Sequence, residues 1–598
     1  MAKRCRLSAA QVAQMLDNES TDVDDDSDIL EDNQDNEFSD ASQVSSSISD
    51  SDAGDDNDEA RNSSDADTET ETETSSAQWI RSSDASITLQ PLLFTVLGVG
   101  VQITGNDIPD NILEYFELFF TPSLVEEIVA ETNRYANEKI ENRALRQRSI
   151  WRTWRDVTVS EFKAYLGIIL RMAMQQRGDI KHFFSTEWID YTPFYRDVFS
   201  RERFLQIHWM LHVQPPSNDP GVVPQTRGNK VSNIVQHMKT KCMELFRPLQ
   251  NIVIDESTIA FKGRSQYKMY NPQKPHKWGL RVFTLADCTT GYLCAFEPYY
   301  GSATTKCLPR SDLSFTARVV LHLCSELMQK VNVGVGYHLY TDRYYSGHSL
   351  SQELLKLGIH HTGTVMRNRQ GLPVDIKRNL KMQKHEVIAW SYQNKEMVLA
   401  WKDKRIIYMI STYFGSSTEI QQRIAKGGAT EEFVKPTAIV EYTRHMGAVD
   451  RFDHYCSSYA FTRKSLKWWR KTFYWLLELA VVNSFILYKE TNPFDDKTTH
   501  IHYRKQLIQQ LVGEQRAPGH SRRRGRPSTL DKQERLDKRQ HFIATFPDKK
   551  TKDCMVCSDR KTAGARKKTA YYCETCSRKP GLHVGNCYKK YHTLTKFR

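Results

Sequence analysis

The sequence lacks long apolar runs, since none reaches the ~18 residues that a membrane-spanning helix requires. Its N-terminus also lacks the apolar core of a secretory signal. These two absences predict a soluble intracellular protein. At 598 residues the chain is nevertheless too long for a single core, so we expect three or four domains.

Basic residues are nearly missing from positions 17–76, where Arg61 stands against 23 acidic residues. Apolar residues are few across positions 1–85, so this segment cannot bury enough surface to fold and is predicted to be a disordered acidic tail. Serines beside acids, as in SDSDAGDDNDEA, suit an acidophilic kinase, and the tail can compete with a polyanionic partner for a basic surface. A purely solubilising tail is the alternative.

The rest of the chain is strongly basic, because the net charge of the whole is +11 despite that tail. A basic folded part with an acidic tail favours a polyanionic partner, and nucleic acid is the partner we predict. Charge alone leaves open the alternative that the protein is basic only for solubility.

Cysteine is sparse up to residue 456, where seven of the twelve thiols stand singly, as is typical of reduced, buried thiols. The other five cluster near the C-terminus, which favours metal over disulfides in an intracellular chain. Two C-x₂-C pairs, CMVC and CETC, stand fifteen residues apart, a zinc spacing because each pair offers two thiolates to one tetrahedral ion. With two histidines the set exceeds one site, so two interleaved structural zinc ions are predicted. The ligands are Cys554, Cys557, Cys573, Cys576, His583, Cys587 and His592.

Helical periodicity dominates from about residue 108 to 250, with apolar residues three and four apart. From residue 251 the pattern changes to three strands joined by hairpins, followed by helix, strand, helix and strand. This β-β-β-α-β-α-β order is that of a ribonuclease H-like fold. Residues 370–440 interrupt it with short polar strands that indicate an inserted β-rich subdomain, and helical periodicity returns at 445–489.

Acidic residues stand where this predicted sheet would bring them together. NIVIDESTIAFKGR places Asp255 at the end of the first, doubly buried strand, and Asp342 ends the fourth strand, its neighbour in the sheet. Asp450 and Asp453 share one face near the start of the last helix. Converging carboxylates need a cation, and hard oxygen ligands suit two Mg²⁺ or Mn²⁺ ions that act on a phosphodiester. Each acid taken singly also fits an ordinary strand end or helix start.

Basic residues interleaved with aromatic rings follow the first of these strands, and they are Lys262, Arg264, Lys274 and Lys277. Such a pattern beside a metal site suits a track for DNA phosphates. A solvated basic face is the alternative.

A second basic motif is SRRRGRPS at 521–528, where Arg524 and Arg526 belong to an Arg-Gly-Arg-Pro core like that of an AT-hook. An AT-hook lays arginine into a narrow minor groove. The motif serves equally as a nuclear localisation signal, and a flexible basic linker is the third option. Residues 521–598 as a whole carry 22 basic and 7 acidic residues. Of the three uses of the SRRRGRPS motif, nuclear import is the one that we predict.

Several segments together resemble the piggyBac-type DDE/D transposases, in family order: VIDESTIAFKGR, YNPQKPHKWGLRV, LYTDRYYSG, MGAVDRFDHYCSSYAFTRKSLKWW and the terminal Cys/His cluster. The resemblance covers nearly the whole chain after residue 100. It implies that Asp255, Asp342 and Asp450 bind the catalytic metal ions and that Asp453 is also required. It further implies that Trp468 lies near the active site, where its ring can stack on an unpaired base.

Three details of this resemblance concern single residues. His541 in QHFIATF resembles an additional zinc ligand of the family, and His583 stands where many relatives have cysteine, a replacement that zinc accepts. Trp469 is an alternative to Trp468 as the stacking ring. Core packing explains either tryptophan equally well.

The resemblance implies a nuclear DNA transposase that excises its element at TTAA, through hairpin ends, and inserts it at another TTAA. Two DNA ends must then be held together, so a homodimer is expected. One alternative is a domesticated piggyBac-derived DNA-binding or chromatin protein that does not transpose. Another is a ribonuclease H-fold RNA nuclease or resolvase, which would not need the flanking modules.

The predicted organisation is therefore multidomain α/β, with catalysis in the core and recognition of DNA ends in the flanking domains. The predicted parts are a disordered acidic tail (1–85), a helical DNA-binding and dimerisation domain (86–250), the first part of a ribonuclease H-like catalytic core (251–369), a β-rich insertion (370–440), the second part of the core (441–490), a helical and basic linker (491–535) and a cysteine-rich zinc domain (536–598).

Overall fold

The computed structural model describes residues 79–82, 87–142, 144–214, 230–272, 277–331, 334–378, 380–424, 430–515, 534–537, 539–547, 550–559, 562, 564–594 and 597. The acidic tail up to residue 78, Lys274, Arg524 and Arg526 lie outside these residues. The chain divides into two compact units, residues 1–516 and 517–598. In the described part of the chain, no helix combines the length and the apolar character that crossing a membrane would take.

The first unit contains both strands and helices. Its strands are β1 (Trp79–Ser82), β2 (Gly100–Val101), β3 (Phe246–Arg247), β4 (Asn251–Ala260), β5 (Met269–Tyr270), β6 (Trp278–Asp287), β7 (Leu293–Pro298), β8 (Tyr337–Thr341), β9 (Ile359–Thr364), β10 (Val387–Tyr392), β11 (Glu396–Lys402), β12 (Ile406–Ser411), β13 (Thr418–Ile424) and β14 (Thr430–Pro436). Its helices are α1 (Ile112–Glu117), α2 (Pro122–Glu141), α3 (Val159–Ala173), α4 (Ile180–Phe183), α5 (Pro193–Val198), α6 (Arg201–Met210), α7 (Ser232–Leu245), α8 (Ser302–Cys307), α9 (Phe315–Val331), α10 (His348–Lys356), α11 (Val374–Lys377), α12 (Thr437–His445), α13 (Ala448–Ser458), α14 (Trp468–Thr491) and α15 (His500–Val512).

A ten-stranded sheet runs through this unit in the order β1-β10-β11-β12-β9-β8-β4-β6-β5, with β7 also paired to β6. Strand β8 runs parallel to both of its neighbours, β4 and β9, and the other pairs in the sheet are antiparallel. Apart from the short β5 and α8, the elements from β4 to β9 follow the order predicted from the sequence: β4, β6, β7, α9, β8, α10, β9.

Helix α14 is anchored deep in the core of this unit. It is apolar around its circumference, and nearly every side chain from Trp469 to Leu487 is buried, as expected for a helix without a polar face. Its buried Asn483 accepts from the Leu293 N–H at 3.1 Å and donates to the Leu293 carbonyl at 2.9 Å. These bonds tie α14 to the start of β7.

Glu478 of α14 and Arg504 of α15 form a buried ion pair. Burial raises the pKa of Glu478, and Arg504 offsets this only in part. We expect Glu478→Leu to lower the free energy of unfolding by about 3–5 kcal/mol, because the buried charge of Arg504 would lose its anionic partner. Glu478→Leu/Arg504→Met should recover most of that loss in a denaturant titration. A cost of under about 1 kcal/mol for the single substitution, typical of an exposed pair, would contradict this expectation.

Residues 79–82 correct the predicted extent of the disordered tail, because they form edge strand β1 on β10. Trp79 Nε1 donates to the Gly371 carbonyl at 2.8 Å, and the ring packs on His348 and Tyr392. One large aromatic side chain thus supplies the buried surface that the acidic residues before it do not offer.

Two further segments, predicted to be an insertion and a linker, pack against the rest of the first unit. Within 370–440, strands β10, β11 and β12 continue the main sheet through the β12–β9 pairing, whereas β13 and β14 form a separate hairpin. Helix α15, inside the predicted linker 491–535, packs on α3 at Gly167, where a Cβ would lie 3.1 Å from Val512 Cγ2. The β12–β9 pairing and the packing of α15 on α3 both cross predicted domain boundaries. The boundaries between residues 86 and 535 therefore stay a prediction.

The described part of the second unit contains short elements. They include β15 (Ile543–Thr545), β16 (Lys552–Asp553), β17 (Lys568–Thr569), β18 (Tyr571–Cys573) and α16 (Asn586–Thr593), with β15 paired to β18 and β16 to β17. Its buried side chains include three cysteines, Cys554, Cys573 and Cys576. So small a unit needs a staple beyond its apolar core.

Candidate functional site

Asp255 and Asp342 lie side by side because of strand register. Parallel strands β4 and β8 pair as far as Ile254 and Thr341, so each aspartate is the first residue after the last pair. Side chains at equivalent positions of parallel strands point to the same face of the sheet. Two acids that are distant in sequence are therefore neighbours on one face.

Strand β4 is longer than the sequence analysis predicts. Asp255 was expected at its end, but β4 continues to Ala260 because residues 255–260 stay paired with β6 on the other side. Asp255 is half-buried in the middle of β4, where the pairing with β8 stops. The acidic site therefore lies at the end of one strand pairing and not at the end of the strand.

Asp342 is held by the turn that follows it. The Tyr344 N–H donates to Asp342 Oδ1 at 2.9 Å, and the N–H groups of Tyr345 and Ser346 donate to the Asp342 carbonyl at 3.2 and 3.1 Å. Burial raises the pKa of the Asp342 carboxyl, the Tyr344 N–H opposes this, and the negative charge of Glu256 adds to the rise. A buried carboxyl beside a second carboxylate gains charge stabilisation from a bound cation.

Glu256 lies next to this site, on the opposite face of β4 from Asp255, although the sequence analysis passed over it. Tyr345 Oη donates to Glu256 Oε2 at 3.0 Å. Burial, and then the charges of Glu256, Asp255 and Asp342, raise the pKa of Tyr345 well above its usual value. The Tyr345 hydroxyl therefore stays protonated among three acids. The doubled acid in VIDES was the available signal.

Asp453 reaches the same strand from helix α13. Ser257 Oγ donates to Asp453 Oδ1 at 2.7 Å. Ser257 stands two residues beyond Asp255 and hence on the same face of β4. Asp450 lies one turn earlier on α13 and is exposed to solvent. Register and the Ser257 bond thus place three of the four predicted acids on one face of the sheet, and Asp450 precedes Asp453 by one turn of the helix.

The donors of this face fit a divalent cation, because they are carboxylate oxygens, which hard cations prefer. They do not form a closed cage: in the described part of the chain, only Cys/His groups bring three or more ligand atoms within 4.8 Å of one another. The carboxylates therefore make an open acidic site that suits ions held jointly by protein and substrate.

The two tryptophans that the sequence analysis weighed have different surroundings. Trp468 is half-buried, with its ring centroid 5.3 Å from Tyr267 and 5.8 Å from Tyr300. Trp469 is only 4% exposed and packs on His212 at 5.6 Å. Trp469 therefore belongs to the core, and Trp468 keeps some surface for a ligand.

The basic track after β4 is solvent-exposed at its described positions, which are Lys262, Arg264 and Lys277. Two exposed aromatic residues, Tyr270 and Trp278, lie in the same segment, and their ring centroids are 4.7 Å apart. Lys268, which the sequence analysis did not single out, places its Nζ 4.8 Å from the centre of the Trp278 ring. Exposed cations next to exposed rings suit nucleic acid.

The predicted zinc ligands form two groups, each with all four ligand atoms within 4.8 Å of one another. The first group is His541, Cys573, Cys576 and His592, and the second is Cys554, Cys557, His583 and Cys587. The groups alternate along the chain, so neither occupies a continuous segment. His541 lies in the first group, as the resemblance implies.

Two of the three histidines in these groups, His592 and His583, are oriented as metal ligands usually are. His592 Nδ1 donates to the Arg535 carbonyl at 3.2 Å, and its buried Nε2 has no hydrogen-bond partner among the described residues. His583 Nε2 donates to the Lys568 carbonyl at 3.0 Å, and its Nδ1 lies 3.3 Å from Cys557 Sγ. In each imidazole a backbone carbonyl takes the N–H and leaves the other nitrogen for a metal.

The thiols of these groups cannot all ionise by themselves. Burial raises the pKa of Cys576 and of Cys587 to about 12, and neighbouring thiols add to both rises. At Cys554 burial is outweighed by the backbone N–H groups of Cys557, Val556 and His583, which lower its pKa to about 6. Crowded thiolates need a cation, so the donor sets and their orientation fit zinc.

Comparison with known proteins identifies the family to which the chain is similar. A family model described as Transposase IS4 matches residues 112–485. PiggyBac transposable element-derived protein 3 of Homo sapiens is 26% identical over 499 residues, which cover 80% of this chain and 76% of that protein. PiggyBac transposable element-derived protein 2 of Homo sapiens is 25% identical over 448 residues, which cover 74% and 71%.

A solved structure shares the fold. The cryo-EM structure of a piggyBac transposase synaptic complex with hairpin DNA matches with a TM-score of 0.60 at 22% identity, covering 71% of this chain and 85% of that chain. The family model covers residues 112–485, the relatives are piggyBac-derived proteins, and the fold is shared with a piggyBac transposase. The chain therefore belongs to the piggyBac-type transposase family.

Proposed function

We propose that this protein is a DNA transposase that excises an element at TTAA sites and integrates it at TTAA target DNA. Water would cut one strand at each element end, and the freed 3′-hydroxyl would attack the opposite strand to give hairpin ends. The opened ends would then join the target. The observation that carries the proposal is the position of Asp255 and Asp342 directly after the last residue pair of two adjacent parallel strands.

The catalytic core of the proposal is ribonuclease H-like. The arrangement β7-β6-β4-β8-β9, in which β8 runs parallel to β4 and β9 while β6 and β7 are antiparallel, supports it. We assign 251–369 and 441–490 to this core and 370–440 to an insertion. Residues 86–250 would bind DNA and mediate dimerisation.

Within this core we assign the catalytic role to Asp255, Asp342, Asp450 and Asp453. Two Mg²⁺ or Mn²⁺ ions held there would supply activation of the attacking oxygen and stabilisation of the leaving oxygen. The chain's own contribution is to hold the ligands: the Tyr344 N–H orients the Asp342 carboxylate, and Ser257 Oγ orients that of Asp453. Asp450, on the exposed side of α13, is free to turn toward substrate.

DNA is the proposed partner, with the phosphates near Lys262, Arg264, Lys274 and Lys277 and an unpaired base near Trp468. The exposure of the described residues of this track and the half-exposed ring of Trp468 support it. Two DNA ends would be held by a homodimer in the nucleus. Arg524 and Arg526 would serve import or minor-groove binding, and an acidophilic kinase would act on the acidic tail.

The C-terminal unit is proposed to be a structural zinc module with two ions, one in each Cys/His group. The compactness of residues 517–598 and the closeness of each ligand set support this assignment. Its basic charge suits binding of element ends.

One observation favours a second candidate, a domesticated DNA-binding protein without transposition: two relatives at 25–26% identity are proteins named as piggyBac transposable element-derived. An excision assay with cognate element ends and Mg²⁺ decides between the two. We expect cleavage at the TTAA junction, with hairpin ends visible on a denaturing gel. Tight binding of the ends with no strand cleavage in Mg²⁺ or in Mn²⁺ would favour the domesticated protein.

A further inference from the structure

A chain of buried side-chain hydrogen bonds runs behind Asp342. Ser351 Oγ lies 2.8 Å from His361 Nδ1, and His361 Nε2 lies 2.8 Å from Thr341 Oγ1. Thr341 Oγ1 lies 2.8 Å from Ser346 Oγ, which lies 2.8 Å from the carbonyl oxygen of Asp342. Each of the four side chains in this chain is fully buried. Helix α10, strand β9 and strand β8 are thus linked to the backbone of one acidic residue.

The donor and the acceptor in each hydrogen bond of this series follow from its last member, the Asp342 carbonyl. A carbonyl oxygen only accepts, so the Ser346 hydroxyl must donate to Asp342 and must accept from the Thr341 hydroxyl. Thr341 Oγ1 must then accept from His361 Nε2–H, which leaves His361 Nδ1 to accept from Ser351 Oγ. Burial lowers the pKa of His361 to about 3, so the ring is neutral and carries the single N–H that this order requires.

Backbone packing leaves this chain little freedom to rearrange. Gly363 faces Thr341 across the β8–β9 pairing, and a Cβ there would lie 2.1 Å from Ser346 Oγ and 2.5 Å from the Thr341 carbonyl oxygen. The hydroxyl of Ser346 therefore occupies the space that a side chain at residue 363 would fill. The Asp342 carbonyl accepts from the N–H groups of Tyr345 and Ser346 as well, so three donors define its position.

We propose that His361 is a positioning residue for Asp342: through Thr341 and Ser346 it holds the 342–346 turn so that the Asp342 carboxylate faces Asp255. This inference rests on the proposed function, because it takes Asp342 as a metal ligand. His361 itself touches neither substrate nor metal. Partners that orient a ligand from behind typically change metal affinity or activity by about 10- to 100-fold when they are removed.

The test compares Thr341→Val with Thr341→Ser in the full-length protein. Valine has the shape of threonine, but it can neither accept a hydrogen bond from His361 nor donate one to Ser346. Serine keeps the hydroxyl and loses only the methyl group. Free Mn²⁺ is measured by electron paramagnetic resonance, and the binding that Asp342→Asn removes defines the acidic site. We expect Mn²⁺ binding to weaken by about 10-fold or more in Thr341→Val and to stay within about twofold in Thr341→Ser. Hydrogen exchange of peptides spanning 342–346 should quicken in the valine variant only.

Equal Mn²⁺ affinity and equal exchange in the valine variant and the wild type would overturn the inference. So would a serine variant as weak as the valine variant, or a wild type without Mn²⁺ binding that depends on Asp342. If Thr341→Val does not fold, Ser346→Ala removes only the final donor and is judged by the same two measurements. A wild type that shows the expected Mn²⁺ pattern but cuts no DNA would overturn the proposed transposase function and leave this inference standing.

Discussion

Asp342→Asn is expected to lower strand cleavage at the element end by on the order of 10³-fold or more, while binding of the DNA end stays within about twofold of wild type. The amide keeps the size of the carboxyl and can still accept from the Tyr344 N–H. It loses the negative charge that a divalent cation requires. Asp255→Asn and Asp450→Asn are expected to behave alike. The measurement is nicking of a labelled element end in Mg²⁺, beside a mobility-shift assay with the same DNA.

Asp312→Asn is the matched control for this series, because Asp312 is an exposed carboxylate that pairs with Arg310 at 2.8 Å. It should cleave at the wild-type rate. A variant of Asp255, Asp342 or Asp450 that cleaves as fast as this control would remove that residue from the catalytic set. Loss of DNA binding in parallel with cleavage would point to a folding defect, which thermal unfolding of the same samples would reveal.

Cys576→Ser is expected to remove both zinc ions from the C-terminal unit, although Cys576 belongs to only one ligand group. Elemental analysis of the full-length wild type should return two zinc ions per chain, and the variant should return fewer than about one. The reason is the alternation of the groups along the chain. Cys573 and Cys576 lie between the two halves of the second group, Cys554/Cys557 and His583/Cys587, so freeing that segment also releases the geometry of the second group.

Recognition of element ends should be lost with the zinc, while the larger unit keeps its own unfolding transition, because the two units are separately compact. Cys307→Ser is the control, since Cys307 is an exposed thiol outside both groups. It should keep two zinc ions and full end binding. A Cys576→Ser protein that retains one tightly held zinc ion would show that the groups fold independently.

The predictable part of this protein was the part encoded over short distances in sequence. Helix α9 takes the place of the first helix in the predicted β-β-β-α-β-α-β order, and the cysteines of the two C-x₂-C pairs, which spacing alone singled out, lie in the two Cys/His groups. Such patterns need only local geometry, since residues three or four apart share a helix face. Glu256 was missed because its neighbour Asp255 already accounted for the motif. Its partner Tyr345 is distant in sequence, and only the folded chain brings the two side chains together.

By itself, the sequence determined the order of strands and helices, the identity of the acidic and thiol residues, and the charge of each segment. Tertiary structure alone decided which of these residues meet. The β4–β8 register sets Asp255 beside Asp342, α13 carries Asp453 to Ser257, and the folded C-terminal unit sorts eight ligands into two groups. The physical reason is that pairing between distant segments depends on the packing of the whole unit, and a shift of one residue in register would turn each side chain to the opposite face of the sheet.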